Sequence, residues 1–323
     1  MGKAVFIDST GGPEGFRVGE RADPSPGPGE IAVANSASGV NFIDIYQRRG
    51  LYPVSLPAIL GQEGAGKVIA VGEGVAAFRP GDRVAYLSGG GSYASVTLAP
   101  AVMAAKIPGG VSDDIAASVF LKGLTAEMLV RDVFPLNDGH TALVYAAAGG
   151  VGSILVQWAS KLGAEVIAVV GDEAKAAAAR SYGANYTINR KETHSIASEV
   201  RRITGGRGVD VAYDSVGAAT FEASLDSLAM RGMMVSYGNA SGPVPPFSPL
   251  ELSRRGSLFL TRPTLFHYAT PERLPSMAAD LFEMIASGAI KIPAPTVYPL
   301  EKTADAHEFL ESGASSGAII LKP

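Results

Sequence analysis

Cysteine is absent from the whole chain. That removes disulfides, thiolate metal sites and cysteine nucleophiles together. No long basic run is present and the formal charge is −4 over 323 residues, so nothing steers the chain onto nucleic acid. No apolar run reaches the roughly 18 residues of a membrane span, and the start of the chain lacks the charged and apolar regions of a signal peptide. A cytoplasmic location with no membrane partner is the default expectation. Histidine is also scarce. His140, His194, His267 and His307 are scattered without an i, i+4 pair, and each reads as a surface or capping residue.

Small and apolar residues are plentiful instead: 47% of the chain is hydrophobic, enough for two cores at this length. In the first part KAVFID, EIAVANSASG, GKVIAVG, DRVAYL and SYASVTLA are separated by PSPGPGE, GEGVAAFRPGD and SGGGS. This strand-and-turn rhythm predicts a compact β-rich domain. At Ser112 the rhythm changes. Residues 112–131 carry an N-cap serine, acids in the first turn and helical apolar spacing, and strand and helix then alternate to about residue 262. Such alternation builds a doubly wound parallel sheet with helices on both faces. Its six strands are TALVYA, EVIAVV, YTI, VDVAYD, MMVSYG and SLFLT. Helices are expected near 271–287 and 302–312, and AIILKP closes the chain as a strand.

Between TALVY and SILVQWASKLG stands AAAGGVG, residues 146–152. A turn alone needs fewer small residues. In a βαβ unit this loop aims backbone N–H groups and the positive end of the next helix at a pyrophosphate, and glycine is required where a side chain would block the approach. Gly149, Gly150 and Gly152 fill that turn. In the helix Ser153, Gln157, Ser160 and Lys161 form a polar stripe beside apolar Val151, Ile154, Leu155, Val156, Trp158 and Leu162. Strand, loop, helix and second strand together favour dinucleotide binding over a plain turn. The second strand ends at Val170 and Gly171 without the tip acid that NAD enzymes use to hold the ribose. Asp172 is a rival NAD signal or the cap of a helix starting near Glu173. Lys175 is a solvated helix lysine or a residue facing the adenosine ribose.

The stretches NFIDIYQRRGLYP, LGQEGAGKV, VGEGVAAFRPGDRV, FLKGLT, AAAGGVG, YDSVG, GNASG and TRP run in this order from end to end. In them the whole chain resembles the zeta-crystallin type NADPH:quinone oxidoreductases, a zinc-free branch of the medium-chain dehydrogenase/reductase superfamily. The resemblance implies an α/β protein with a GroES-like β-rich catalytic domain, residues 1–122 and 266–323, and a Rossmann NADP-binding domain, residues 123–265. It implies a cleft between them where nicotinamide meets substrate, with NADPH as cofactor and a quinone as acceptor. A homodimer joined along GSLFLT also fits, since an open apolar edge strand invites pairing. An α,β-unsaturated aldehyde or ketone is the alternative acceptor. A crystallin-like or RNA-binding role without turnover is a third reading.

Zinc-dependent relatives carry a histidine where this chain has Gln62, and cysteines that it lacks, so a tetrahedral zinc site is not expected. Without a Lewis acid an alkoxide is hard to stabilise, whereas a conjugated carbonyl accepts hydride readily. A donor to the carbonyl oxygen would help. Asn41, Tyr46 and Tyr52 are the candidates; by themselves they read as a turn residue and two core aromatics. The resemblance places Asn41, Phe42 and Tyr46 at the nicotinamide end and Tyr52 in the substrate pocket. It places Met128, Gly149, Gly150, Val151, Gly171, Lys175, Ser215, Asn239, Arg262 and Pro263 along the cofactor. Plainer readings stay open for Met128 as core, Ser215 as a helix cap and Arg262 as a surface charge. Two departures from the family stand near the expected 2′-phosphate: Arg190 replaces the usual tyrosine, and Gly313 stands where a C-terminal arginine is expected. Together they suggest a guanidinium that has moved within the site.

Overall fold

The computed structural model describes residues 2–323. The first strands are β1 (Gly2–Ile7), β2 (Phe16–Arg21), β3 (Glu30–Val40), β4 (Ala58–Ile59), β5 (Glu63–Val71), β6 (Arg83–Leu87), β7 (Val96–Pro100) and β8 (Ala104–Lys106), with helix α1 (Phe42–Arg48) after β3. Helix α2 (Asp113–Met128) leads into alternating β9 (Thr141–Tyr145), α3 (Gly150–Lys161), β10 (Glu165–Val170), α4 (Glu173–Ser181), β11 (Tyr186–Asn189), α5 (Ile196–Ile203), β12 (Val209–Asp214), α6 (Phe221–Ser227), β13 (Leu228–Ser236), α7 (Leu250–Arg254) and β14 (Phe259–Thr261). The chain closes with α8 (Leu274–Ala286), β15 (Thr296–Pro299), α9 (Thr303–Glu311) and β16 (Ile319–Lys322). Among the described residues no helix is long and apolar enough to cross a membrane.

Two compact units emerge. Residues 1–124, 269–288 and 292–323 form the first, and residues 125–268 with 289–291 the second. In the first unit a seven-stranded sheet runs β15-β16-β3-β5-β6-β8 with β7 also paired to β3, and β2-β1-β4 form a smaller sheet. Strand β2 was not expected from FRVGER, whose exposed alternation leaves only a weak pattern. Gly39 in β3 is required by crowding: a Cβ there would stand 2.3 Å from Glu63 Oε1 and 2.5 Å from the Ala117 carbonyl.

The second unit has one six-stranded sheet in the order β11-β10-β9-β12-β13-β14. Every pairing in it is parallel. Its central strand TALVY is buried at every position, as a sheet covered on both faces requires. Leu143, Tyr145, Ile167, Val169, Phe221 and Leu225 belong to one core cluster.

Within the polar stripe of α3, Ser153 and Gln157 are buried. Gln157 donates from Nε2 to the Lys291 carbonyl at 3.0 Å and accepts from the Lys291 N–H at 2.7 Å, which ties residues 289–291 to this unit. One sequence expectation is corrected: His307, expected as a surface or capping residue, is fully buried in the first unit.

Candidate functional site

In an all-parallel sheet every strand ends on the same edge, and that is where doubly wound folds bind ligands. Six predicted positions fall there, one beyond each strand: Gly149 after β9, Gly171 after β10, Arg190 after β11, Ser215 after β12, Asn239 after β13 and Arg262 after β14.

The β9 end is shaped by strain and by glycine. Ala146 adopts a φ of 48°, unusual for a residue with a Cβ. Its carbonyl accepts from the Gly149 N–H at 2.8 Å. Gly149 is the N-cap of α3 and, lacking a side chain, leaves the first-turn N–H groups of Gly150 and Val151 uncapped by its own residue. Gly152 serves packing rather than ligand approach: its Cβ would lie 2.2 Å from the Ala146 carbonyl oxygen.

At the β10 end, Asp172 is the cap of α4, accepting from the Lys175 N–H at 2.9 Å. Its carboxylate is thereby turned to the helix start. The Arg190 N–H donates to the Val170 carbonyl at 2.9 Å. That tie brings its guanidinium to the strand tip: a Cβ built on Gly171 would stand 3.7 Å from Arg190 Nε and 3.9 Å from Nη2. Lys175 lies in the first turn of α4, half-buried.

Past β12 the buried Asp214 organises the loop. Its Oδ1 accepts from the Val216 and Gly217 N–H groups at 2.7 and 3.1 Å, and its Oδ2 from the Thr220 and Ser224 hydroxyls, each at 2.7 Å. Ser215 is therefore no helix cap; its carbonyl accepts from the Ala240 N–H at 3.2 Å and so joins the loops after β12 and β13. Arg262 is fixed as well, donating from Nη1 to the Ser236 carbonyl at 2.7 Å. With the Asn239 amide turned to satisfy both of its ends, Oδ1 accepts from Arg262 Nη2 at 2.9 Å. Pro263 follows, half-buried, and Met128 is buried at the end of α2.

The first unit gathers the remaining predicted residues on and after α1. Asn41 is its N-cap and Asp44 reaches back, its Oδ2 accepting from the Asn41 N–H at 2.8 Å. Tyr46 packs against Phe42 at 6.0 Å and edge-on against Tyr52 at 5.3 Å between ring centroids. The Tyr52 N–H donates to the Tyr46 carbonyl at 3.1 Å, which holds the two aromatics together.

Behind Asn41 lies a charged centre that pattern reading missed. Glu63 is fully buried and accepts from Asn41 Nδ2 at 2.9 Å, Lys122 Nζ at 2.7 Å and the Leu121 N–H at 2.6 Å. A buried carboxylate needs such partners, and here they orient the Asn41 amide. Next to it, Gln62 donates through Nε2 to Gln47 Oε1 at 3.0 Å. Amides paired to each other are poor zinc ligands, and among the described residues no three acidic or histidine side chains gather to hold a metal. The residues present do not fit zinc.

With this geometry in hand, the chain compares as follows. The family described as zinc-binding dehydrogenase matches residues 150–287, and the alcohol dehydrogenase GroES-like domain matches residues 27–109. A quinone oxidoreductase of Pseudomonas aeruginosa is 44% identical over the full length of both chains. A 2-haloacrylate reductase of a Burkholderia species is 41% identical, over 100% of this chain and 99% of its own. The crystal structure of Escherichia coli quinone oxidoreductase complexed with NADPH superposes with a TM-score of 0.97 at 45% identity, covering 99% of this chain and 100% of that one.

Proposed function

The chain belongs to the quinone oxidoreductase family of the medium-chain dehydrogenases/reductases, and we propose that it transfers a hydride from NADPH to quinones without zinc. The observation that carries the cofactor assignment is the Arg190 guanidinium beside Gly171, at a strand tip with no carboxylate of its own. A cation there suits a 2′-phosphate, which a tip acid would repel.

NADPH would supply the hydride; binding and orientation fall to the chain's own residues. The N–H groups at the start of α3, after Gly149 and including Gly150 and Val151, receive the pyrophosphate. Gly171, Lys175 and Arg190 receive the adenosine ribose and its 2′-phosphate. Ser215, Asn239, Arg262 and Pro263 border the rest of the dinucleotide, with Met128, Asn41, Phe42 and Tyr46 assigned to the nicotinamide end. The Tyr52 hydroxyl is the donor assigned to the acceptor's carbonyl oxygen, where negative charge grows as hydride arrives. Solvent supplies the proton that completes the hydroquinone.

The relative that reduces 2-haloacrylate favours a second reading, in which the acceptor is an activated alkene conjugated to a carbonyl. The same hydride donor and donor groups serve both. In assembly we propose a homodimer through β14, the terminal strand of its sheet, where Phe259 is 56% exposed and Met230 on neighbouring β13 is 78% exposed. We place the protein in the cytoplasm, where NADPH is supplied. Residues 1–122 with 266–323 are proposed as the catalytic domain and 123–265 as the NADP-binding domain. NADPH oxidation across quinones, enals and enones tests the assignment; turnover of none of them would overturn it.

A further inference from the structure

The first unit holds a buried polar chain that hydride transfer does not use. Asp44, Tyr93 and His307 are each fully buried. Asp44 Oδ2 accepts from the Tyr93 hydroxyl at 2.8 Å, and Tyr93 Oη lies 3.0 Å from His307 Nε2. The protons can be placed by counting. The Tyr93 hydroxyl has one hydrogen, which it donates to the Asp44 carboxylate. The phenol oxygen must then accept from His307 Nε2–H, which leaves His307 neutral with a bare Nδ1. That nitrogen has no partner, as has Asp44 Oδ1. A bare lone pair costs less to bury than an unpaired N–H of an imidazolium, so the chain is consistent only with neutral histidine.

The same helices meet a second time. Arg48, buried to 1% exposure, donates through Nη2 to both carboxylate oxygens of Glu311 at 2.8 Å, and Arg49 adds a 2.6 Å ion pair to Glu311. Asp44 and Arg48 are one turn apart on α1, and His307 and Glu311 are one turn apart on α9. Two rungs therefore brace a helix of seven residues, which is too short to hold itself. The braced helix is the one that carries Tyr46 and follows Asn41.

We infer that Asp44, held through Tyr93 by His307, is a positioning residue for the acceptor pocket: its Oδ2 fixes the Asn41 backbone and, with it, the placing of Tyr46 and Tyr52. The inference rests on the proposed roles of Asn41 and Tyr46 at the nicotinamide end and of Tyr52 at the acceptor. It makes reduction sensitive to the charge on Asp44. The charged and titratable groups around that carboxyl are Tyr93, Lys122 on α2 and Glu63 on β5; beyond Tyr93 lie His307, in contact with its hydroxyl, and Arg48, whose charge acts on both Tyr93 and His307. Burial pushes Asp44 up to about 7, against the opposing hydrogen bonds from Tyr93 and the Asn41 N–H. Acidification through that range discharges Oδ2 and slackens its hold on both donors.

The test compares wild type, Asp44→Asn and Tyr93→Phe as full-length protein, by steady-state NADPH oxidation with a quinone from about pH 6 to pH 8.5. Direct NADPH binding is followed separately by nucleotide fluorescence. Wild-type kcat/KM for the quinone is expected to rise about threefold or more across that range. Asp44→Asn is expected to be flat with pH and about tenfold lower, with NADPH affinity within about twofold of wild type. Tyr93→Phe should move the same way by less. A flat wild-type profile overturns the inference without needing any variant to fold, and so does a folded Asp44→Asn with wild-type acceptor kinetics. A wild type that binds NADPH but reduces no quinone is the distinct result that defeats the functional reading on which the inference rests.

Discussion

The guanidinium of Arg190 lies against Gly171, with Nε 3.7 Å from where a Cβ would be. The contact joins the tips of two adjacent parallel strands, β10 and β11, and sets a fixed charge at the proposed ribose end. Replacing Arg190 with alanine is expected to cost roughly 1.5 to 3 kcal/mol of NADPH binding, the range for a charged hydrogen bond, with little change for NADH. Lys175→Ala should behave likewise. Equal losses for the two nucleotides by titration calorimetry would remove both residues from the phosphate site.

The same contact predicts a reversal. Gly171 has an ordinary backbone and room for a Cβ, so Gly171→Asp would fold and place a carboxylate beside the guanidinium. Arg190 would then be neutralised and a phosphate repelled, so NADPH affinity should fall while NADH affinity holds or rises. Dissociation constants for both nucleotides decide it.

Asp44 and His307 make opposite contributions to stability against pH. Asp44, pushed up to about 7 from 3.8 mainly by burial, holds its proton when folded across a window where the unfolded chain has lost it. Its contribution therefore falls as pH rises through that window. His307, pushed down to about 3 from 6.5 by burial and then by Arg48, refuses a proton that the unfolded chain accepts. Its contribution rises with pH and is complete above 6.5. Between 3.8 and 6.5 the two slopes oppose each other. Removing the titrating carboxyl in Asp44→Asn should expose the histidine slope, about 1 kcal/mol per pH unit, as stability that climbs with pH. Urea unfolding at several pH values checks this; parallel curves for wild type and variant would contradict it.

Lys122→Met should be costly. It leaves the Glu63 carboxylate buried with only the Asn41 and Leu121 donors. Breaking one side of a buried pair costs about 3 to 5 kcal/mol, measurable as a lower denaturant midpoint.

How much of this was legible beforehand follows from the range of each interaction. The six-stranded sheet could be read because its strands are local apolar runs and its loops carry their own glycines. The Asp172 cap lies three residues from its partner, and it too was readable as one of two alternatives. The buried chain was not. Tyr93 is 49 positions from Asp44 and 214 from His307, so no local pattern distinguishes that histidine from a surface one. Glu63 sat within LGQEGAG, and its burial depends on Lys122, 59 positions away. Gln157 showed only as part of a polar stripe, because the partner that buries it, Lys291, is 134 positions on.

Association through β14 predicts that Phe259→Glu yields a monomer. The strand is three residues long and its Phe259 is largely exposed, so a charge there would oppose pairing without disturbing the core. Light scattering of wild type and variant gives the answer; a monomeric wild type would refute the dimer.

The central claim is a zinc-independent hydride transfer from NADPH to a quinone. It is tested most directly by kcat/KM for one quinone measured with NADPH and with NADH on chelator-treated protein. The account predicts undiminished turnover after chelation and a higher kcat/KM with NADPH. Loss of turnover on chelation that zinc restores, or a preference for NADH, would contradict it.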